Sequence, residues 1–178
     1  MEIDARVVGT LPHGVRIHDL ACLRHDRGSL TEIFRQDGWP HGPARQWNLV
    51  TSGPGVLRGI HVHTIAAEYY VLVSGRVLVG YQDIRPGSPT FGQSALVELG
   101  GPDPVAILAP PGLAHGVYGV EAFTLLVGTT TVWDPAGELG CHWKDPALEI
   151  PWPFETAVVS SQDAARGRFQ DLLASATK

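Results

Sequence analysis

Residues 55–75 read G-V-L-R-G-I-H-V-H-T-I-A-A-E-Y-Y-V-L-V-S-G, and they contain the pattern from which the fold can be predicted. Two runs rich in β-branched and apolar residues, 56–63 and 69–73, predict two strands separated by a short turn. Runs of the same kind recur along the chain, and glycine (21 residues) and proline (14 residues) separate them at short intervals. Many short strands with frequent turn signals predict an all-β sandwich or barrel.

The C-terminal tail has a different pattern from the rest of the chain. The predicted strands cover residues 15–20, 29–34, 47–51, 56–63, 69–73, 77–83, 95–99, 105–109, 116–120 and 123–133. After them, Phe169, Leu172 and Leu173 make an apolar stripe with helical spacing, and a serine can cap the start of that helix. We find no repeat and no low-complexity linker. The chain is therefore predicted to be one domain, 1–178, with a short C-terminal helix over about 161–176.

Composition narrows the class of protein. The net charge of −5 at pH 7 argues against a nucleic acid or an anionic membrane as a partner, because either would call for a basic surface. No apolar run approaches the ~20 residues needed to cross a bilayer, and the N-terminus has no signal-peptide pattern. Cys22 and Cys141 lie far apart in the sequence, which fits free thiols in a reducing compartment. We therefore expect a cytoplasmic protein with no nucleic-acid or membrane partner.

Side chains suited to metal coordination are concentrated in the opening stretch. His61 and His63 are two residues apart on a predicted strand, so they are expected to share one face with Gly59. Having no side chain, Gly59 leaves room there for a ligand or for a closely approaching backbone. Glu68 begins the next predicted strand, and His115 follows a rigid Pro-Pro-Gly turn. Three histidines and a glutamate are suitable ligands for Zn, Fe, Mn, Co or Ni, although histidines of a barrel can also simply pack.

The spacing G-x5-H-x-H-x4-E-x6-G, followed by P-x-G-x2-H, resembles the two motifs of the cupin superfamily. Within it, landmarks over about residues 10 to 165 resemble the dTDP-4-dehydrorhamnose 3,5-epimerase family. These are Asp26-Arg27-Gly28 with Glu32 and Phe34, Gln46-x-Asn48 with Ser52, Gly55–His61, Asp83-Ile84-Arg85 with Ser88–Gly92, Pro111–Gly116, Trp143–Pro146, Ile150–Pro153 and Ser160–Asp163. The resemblance implies a cupin jelly-roll barrel that forms a homodimer and uses neither a metal nor an organic cofactor.

The resemblance also implies a reaction and a set of site residues. Family members act on a nucleotide-linked 4-keto-6-deoxy sugar: a histidine removes a proton beside the ketone, and an acid returns it to the opposite face. His61 matches the base, and Asp163 matches the carboxylate that fixes its tautomer and stabilises the imidazolium. The positions that match substrate contacts are Arg58, His115, Gln46 and Asn48, with Arg27 and Glu32 on the strand that reaches the nucleotide of the partner subunit. For the last four, an ordinary place on strand surfaces and turns stays open.

Three positions depart from the family pattern. Trp133 stands in place of the acid, a tyrosine, within the substrate pocket, and an indole N–H cannot deliver a proton at neutral pH. Glu68 stands where the family has a lysine suited to stabilising an enolate, and His63 stands where a glutamine is usual. Tyr70, which shares strand parity with Glu68, is the predicted substitute acid. We therefore expect an isomerase of this type that inverts one centre or has altered specificity.

Two alternatives stay open at this point. In the first, His61, His63, Glu68 and His115 bind a divalent metal that replaces the missing lysine as a Lewis acid. Asp163 would then orient His61 as a ligand, and a different base would be needed. In the second, the chain is a non-catalytic cupin that binds a sugar nucleotide.

Overall fold

The computed structural model describes residues 6–102, 104–134 and 138–176. The strands are β1 (Val7–Gly9), β2 (Arg16–Asp19), β3 (Cys22–His25), β4 (Gly28–Thr31), β5 (Gln46–Ser52), β6 (Leu57–Val62), β7 (Glu68–Ser74), β8 (Val77–Asp83), β9 (Ser94–Leu99), β10 (Val105–Ala109), β11 (Leu113–Gly119), β12 (Phe123–Thr129) and β13 (Leu139–Gly140). The helices are α1 (Ser161–Ala164) and α2 (Phe169–Ala176), and a 3-10 turn covers Gln36–Gly38. No helix in this part of the chain is long and apolar enough to cross a membrane.

Two antiparallel sheets face each other and form the body of the molecule. One has six strands in the order β1-β9-β8-β11-β6-β13, and the other has five in the order β2-β10-β7-β12-β5. The remaining strands, β3 and β4, pair only with each other and form a hairpin that belongs to neither sheet. Most neighbouring strands are not consecutive in sequence, as in a jelly roll. The predicted all-β jelly-roll barrel is confirmed.

Alternation along the strands places one set of apolar side chains between the two sheets. Val79 and Tyr81 of β8 meet Ile107 of β10 and Leu125 of β12 there, and each of these residues is at most 1% exposed. Tyr70, Phe123 and Leu125 of this core also line the cavity described below.

The outer face of the six-stranded sheet is covered by the C-terminal part of the chain. Ile150, Trp152 and α2 pack on it, so β8 is buried on both of its faces. Gly80 lies at the closest approach: a Cβ atom there would lie 2.5 Å from Ile150 Cγ2 and 2.6 Å from the Trp152 ring. The same C-terminal part of the chain contains Asp163, which lies at the edge of the functional site.

The tail is not the single helix predicted over 161–176. It forms α1 and α2, separated by a non-helical turn. In that turn the Gly167 carbonyl accepts a hydrogen bond from the His142 N–H at 2.8 Å, and the Phe169 N–H donates to the Asp145 carboxylate at 3.0 Å. Tertiary hydrogen bonds therefore replace the intrahelical ones that the apolar stripe predicts. The prediction of one domain over the whole chain stays a prediction.

The predicted strands are largely present, but several of their ends differ. β11 begins at residue 113 instead of 116, and β12 ends at residue 129 instead of 133. β12 ends there because its partner β5 begins at Gln46, which pairs with Thr129. β4 covers 28–31 instead of 29–34, and β1, β3 and β13 were not predicted. Those three are short strands with little burial, so hydrophobic alternation is weak in them.

Candidate active site

Polar residues from three strands converge inside the barrel. β6 and β11 are neighbours in the six-stranded sheet, and β7 belongs to the sheet that faces them. Between them lies a cavity of about 150 Å³. The polar residues that line it are Arg58, His61, His63, Glu68, Tyr70 and His115. The structure therefore brings together every residue that the two sequence motifs pointed to.

His61 is held by a carboxylate from the C-terminal segment. Its Nε2 atom lies 2.7 Å from Asp163 Oδ1. α1 positions Asp163 because the Ser160 hydroxyl caps that helix by accepting the Asp163 N–H. Burial raises the pKa of Asp163, but the hydrogen bond and charge of His61, the Ser160 cap and the Gly59 N–H outweigh it, so the pKa lies below its ordinary value. The predicted pair is thus formed in the structure, with Asp163 as an anion.

Two charged residues that the sequence did not point to complete this network. Glu138 Oε1 lies 3.6 Å from His61 Nε2, and Arg166 forms ion pairs with both Glu138 and Asp163. Burial raises the pKa of Glu138, but the hydrogen bond from Trp133 and the charges of His61 and Arg166 lower it by more. The pKa of Glu138 therefore lies below its ordinary value. Arg166 follows Asp163 by three residues, a spacing that predicts contact if the tail is helical. No local pattern marks Glu138, because tertiary structure alone brings it to His61.

Gly59 faces backbone rather than the cavity. A Cβ atom at this position would lie 2.7 Å from Gly116 Cα and 2.8 Å from the His115 carbonyl oxygen. Its φ of +135° is also one that residues with side chains rarely adopt. Of the two expectations for this glycine, close backbone approach is the one that the structure supports. The cavity space beside the histidines comes from other residues.

The remaining histidines surround Glu68. Its carboxylate oxygens lie 3.5 Å from His63 Nε2 and 3.2 Å from His115 Nε2, and it accepts a 2.6 Å hydrogen bond from the Tyr70 hydroxyl. Burial raises the pKa of Glu68, but these neighbours reverse the shift and hold it below the ordinary value. Burial lowers the pKa of His115, and burial together with Glu68 raises that of Tyr70 well above its ordinary value.

The predicted four-ligand metal set is not assembled as a unit. Side-chain atoms of His63, Glu68 and His115 all lie within 4.8 Å of one another. His61, the fourth predicted ligand, instead directs its Nε2 atom to Asp163. Both histidines line the same cavity, as strand alternation predicts, although β6 ends at residue 62 and His63 lies just beyond it. The site thus consists of a His–Asp pair and a separate group of three.

Three predicted substrate contacts belong to a hydrogen-bonded chain beside the cavity. Gln46 donates to Asn48 Oδ1 at 3.0 Å and accepts the Trp133 backbone N–H at 2.9 Å. The Trp133 indole N–H donates to Glu138 at 3.0 Å, although the residue is 53% exposed. Trp133 is thus connected to His61 through Glu138. The prolyl residue that follows Asp134 in the matched motif, Pro135, lies outside the described residues.

Arg58 reaches the cavity, whereas Arg27 and Glu32 do not. Arg58 donates to Ser52 Oγ at 2.9 Å. Arg27 lies in the turn between β3 and β4, and Glu32 follows that hairpin and pairs with Arg35 at 2.6 Å on the surface. The hydrogen bond from Arg35 lowers the pKa of Glu32. In this chain the hairpin residues are therefore separate from the His61 site.

A family model described as dTDP-4-dehydrorhamnose 3,5-epimerase matches residues 10–171. A relative with that name from Neisseria gonorrhoeae is 36% identical over 169 residues, which are 89% of this chain and 51% of the relative. The chain thus spans about half the length of that curated relative.

Solved structures resemble the fold over nearly its whole length. The Legionella pneumophila dTDP-6-deoxy-D-glucose-3,5-epimerase, in complex with dTDP-4-keto-L-rhamnose, has a TM-score of 0.85 and 30% identity, with 96% of this chain and 95% of that one covered. ChmJ, a 3'-monoepimerase from Streptomyces bikiniensis in complex with dTDP-quinovose, has a TM-score of 0.81 and 30% identity, with coverages of 93% and 87%.

Proposed function

The chain belongs to the dTDP-4-dehydrorhamnose 3,5-epimerase family, and on that premise we propose that it is a nucleotide-sugar epimerase that inverts a single centre. Its substrate would be a dTDP-4-keto-6-deoxy sugar, in which the ketone acidifies the protons on the adjacent carbons. The family model and the gonococcal relative support the class of reaction. The similarity to a solved 3'-monoepimerase supports inversion at one carbon.

The observation that carries the proposal is the 2.7 Å contact between His61 Nε2 and Asp163 Oδ1. An ionised carboxylate only accepts, so Nε2 carries the hydrogen and the neutral ring has its lone pair on Nδ1. His61 can then take a proton from the carbon beside the ketone, and the C–H electrons move into an enolate. The imidazolium that results is stabilised by Asp163 and by Glu138 at 3.6 Å.

Tyr70 is the proton donor in this proposal. It lines the same cavity as His61, and its hydroxyl, which donates to Glu68 at 2.6 Å, carries a proton at neutral pH. Transfer of its proton to the face opposite His61 would invert the carbon and leave a tyrosinate. Solvent would then return a proton to Tyr70, and the imidazolium of His61 would lose its proton to solvent. Trp133, at the position of the family's acid, would serve in binding only, because an indole N–H cannot deliver a proton at neutral pH. One base and one internal acid support epimerisation at a single centre.

The remaining residues are assigned to binding. Arg58 and His115 line the cavity and would contact the sugar and diphosphate, since Arg58 supplies a charge that is never lost. Gln46 and Asn48 lie on β5 within the chain of hydrogen bonds that leads to Trp133. Proton abstraction and return by side chains require no organic cofactor.

We also propose a homodimer and a cytoplasmic location. The β3–β4 hairpin exposes Leu23 (64%) and Leu30 (65%), which a partner subunit would cover. Crossing to the partner would bring Arg27 and Glu32 to the nucleotide there, which explains their separation from His61 in their own chain. Both cysteines are free thiols, as expected in a reducing compartment.

Solvent exchange tests the proposed reaction. The protein is incubated in D2O with a dTDP-4-keto-6-deoxyhexose, and proton NMR follows the signals of the carbons on either side of the ketone. We expect deuterium at one of these carbons only, with inversion at the same position. Exchange at both carbons would contradict single-centre epimerisation. Binding of the nucleotide sugar, measured by calorimetry, without any exchange would identify a non-catalytic binding protein.

A further inference from the structure

We infer that His63, Glu68 and His115 form a binding site for one divalent transition-metal ion, beside the His61–Asp163 pair and independent of it. The ion would lie in the same cavity and polarise the ketone of the substrate. This role rests on the proposed function, whereas the binding of the ion does not. No residue of the base pair is needed as a ligand.

The spacing of the three side chains fits a common ion. Bonds of about 2.0–2.2 Å, at angles of about 90–110°, place neighbouring ligand atoms about 3.0–3.5 Å apart. Glu68 Oε2 lies 3.2 Å from His115 Nε2, and Glu68 Oε1 lies 3.5 Å from His63 Nε2. One ligand atom from each of the three residues lies within 4.8 Å of the other two. His63 is the most exposed of the three, with 21% of its side chain accessible, so it is the ligand with freedom to adjust.

The orientation of His115 favours a cation at this position. Its Nδ1 atom lies 3.2 Å from the Leu113 carbonyl oxygen, which can only accept, so Nδ1 carries the hydrogen. Nε2 is then the ring atom available to a ligand, and it faces Glu68 Oε2 at 3.2 Å. An ion between these two atoms would be bound by both.

Neighbouring groups hold the ligands as they do in metal sites. The Leu113 carbonyl fixes the ring of His115, and the Tyr70 hydroxyl fixes one oxygen of Glu68 at 2.6 Å. Partners of this kind orient metal ligands and raise their affinity for the ion. Glu68 and His115 are each 6% exposed, so the site is shielded from water on most sides. The group is thus built around a point inside the barrel.

The chemistry of the ligands limits the ion and suggests its use. Two imidazole nitrogens and one carboxylate oxygen suit Zn, Fe(II), Mn, Co or Ni, and three protein ligands leave coordination positions open. Those positions face the cavity that Arg58 and His61 also line. A ketone oxygen bound there would be polarised, and the negative charge of the enolate would be stabilised. His61 stays free to act as the base because Asp163 holds its other nitrogen.

Metal content is the first test. The protein is freed of metal with a chelator, dialysed against Zn²⁺ or Co²⁺, and analysed by inductively coupled plasma mass spectrometry. We expect about one ion per chain in the wild type. The variants His63→Gln and Glu68→Gln should bind at least about tenfold more weakly. His61→Asn is the matched control, and it should keep the full content of metal. Thermal unfolding establishes that each variant is folded.

Three outcomes would overturn the inference. If the wild type binds no ion after reconstitution, the three side chains share protons rather than a metal. If His61→Asn loses the ion as fully as His63→Gln does, the site is not independent of the base pair. If the metal-free and reconstituted proteins exchange substrate protons at the same rate, the ion has no part in polarising the ketone. Binding is measured without substrate, so failure of the proposed epimerase reaction would leave the first two outcomes readable.

Discussion

Replacing Asp163 by asparagine is predicted to slow proton abstraction by His61 strongly while leaving the fold intact. Asparagine has the same shape, but it is neutral, and its amide can turn an N–H toward the ring. The ring then adopts the other tautomer, with its hydrogen on Nδ1 and its lone pair turned away from the substrate. The 2.7 Å contact that stabilises the imidazolium is lost as well.

The size of the effect follows from the distance. Two unit charges 2.7 Å apart attract by about 6 kcal/mol at an effective dielectric constant of about 20. Arg166, whose Nε lies 3.6 Å from the same carboxylate oxygen, and the nearby Glu138 reduce the net loss. General-base catalysis contributes about 10²–10⁴-fold, which corresponds to about 2.7–5.5 kcal/mol. We therefore expect Asp163→Asn to lower the exchange rate by about 10²–10⁴-fold.

The assay is the first-order rate of deuterium incorporation into a dTDP-4-keto-6-deoxyhexose, followed by proton NMR at saturating substrate. Asp171→Asn is the matched control. Asp171 is an exposed residue of α2, and its carboxylate pairs with Arg168 rather than with His61. It should exchange at the wild-type rate. If folded Asp163→Asn exchanges within about threefold of wild type, the carboxylate does not support the base, and the reasoning fails.

Other predictions concern stability and thiol chemistry. In urea unfolding, Gly80→Ala should lower the free energy of unfolding by about 1–3 kcal/mol, because the added Cβ would lie 2.5 Å from the side chain of Ile150. The control is Gly53→Ala, whose Cβ would have no atom within 4 Å, and it should change the free energy of unfolding by less than about 1 kcal/mol. Asp83→Asn should cost about 1.5–3 kcal/mol, because it removes the charge of a fully buried carboxylate that accepts hydrogen bonds from Arg85, Ser88 and Thr90. Burial raises the pKa of Asp83, but hydrogen bonds from its arginine, serine and threonine neighbours lower it well below normal. The stabilisation is therefore present above the unfolded pKa, and the difference between wild type and variant should shrink only in strong acid. Cys141 is fully buried, and burial raises the pKa of its thiol to about 12. At pH 8 a disulfide reagent should therefore react only with Cys22 until the protein is denatured. Two fast-reacting thiols in the native protein would contradict this.

The fold was largely predictable because its strands carry the signals that alternation and turn residues provide. β8 and β10 have the bounds that were predicted, and each is buried along its whole length. The weak signals belong to short or exposed strands: β3 forms an exposed hairpin with the next strand, β4, and β13 pairs with β6, far away in sequence. The break between α1 and α2 was not predictable, since hydrogen bonds from residues 142 and 145 cause it.

The candidate site was predictable as a set of residues but not as an arrangement. Motif spacing pointed to His61, His63 and His115, and all three line the cavity. Strand alternation predicts that His61 and His63 line the same space, but it carries no information on Asp163, which holds the Nε2 atom of His61. Glu138 was missed for a related reason: only tertiary packing brings it within 3.6 Å of His61.

The central claim is that His61 is the base that removes a proton beside the ketone. The most direct test compares wild type and His61→Asn for the incorporation of solvent deuterium into a dTDP-4-keto-6-deoxyhexose, with calorimetry showing that both bind dTDP. We expect exchange in the wild type and a loss of at least about 10²-fold in the variant, with dTDP binding retained. Exchange at the wild-type rate in His61→Asn would contradict it.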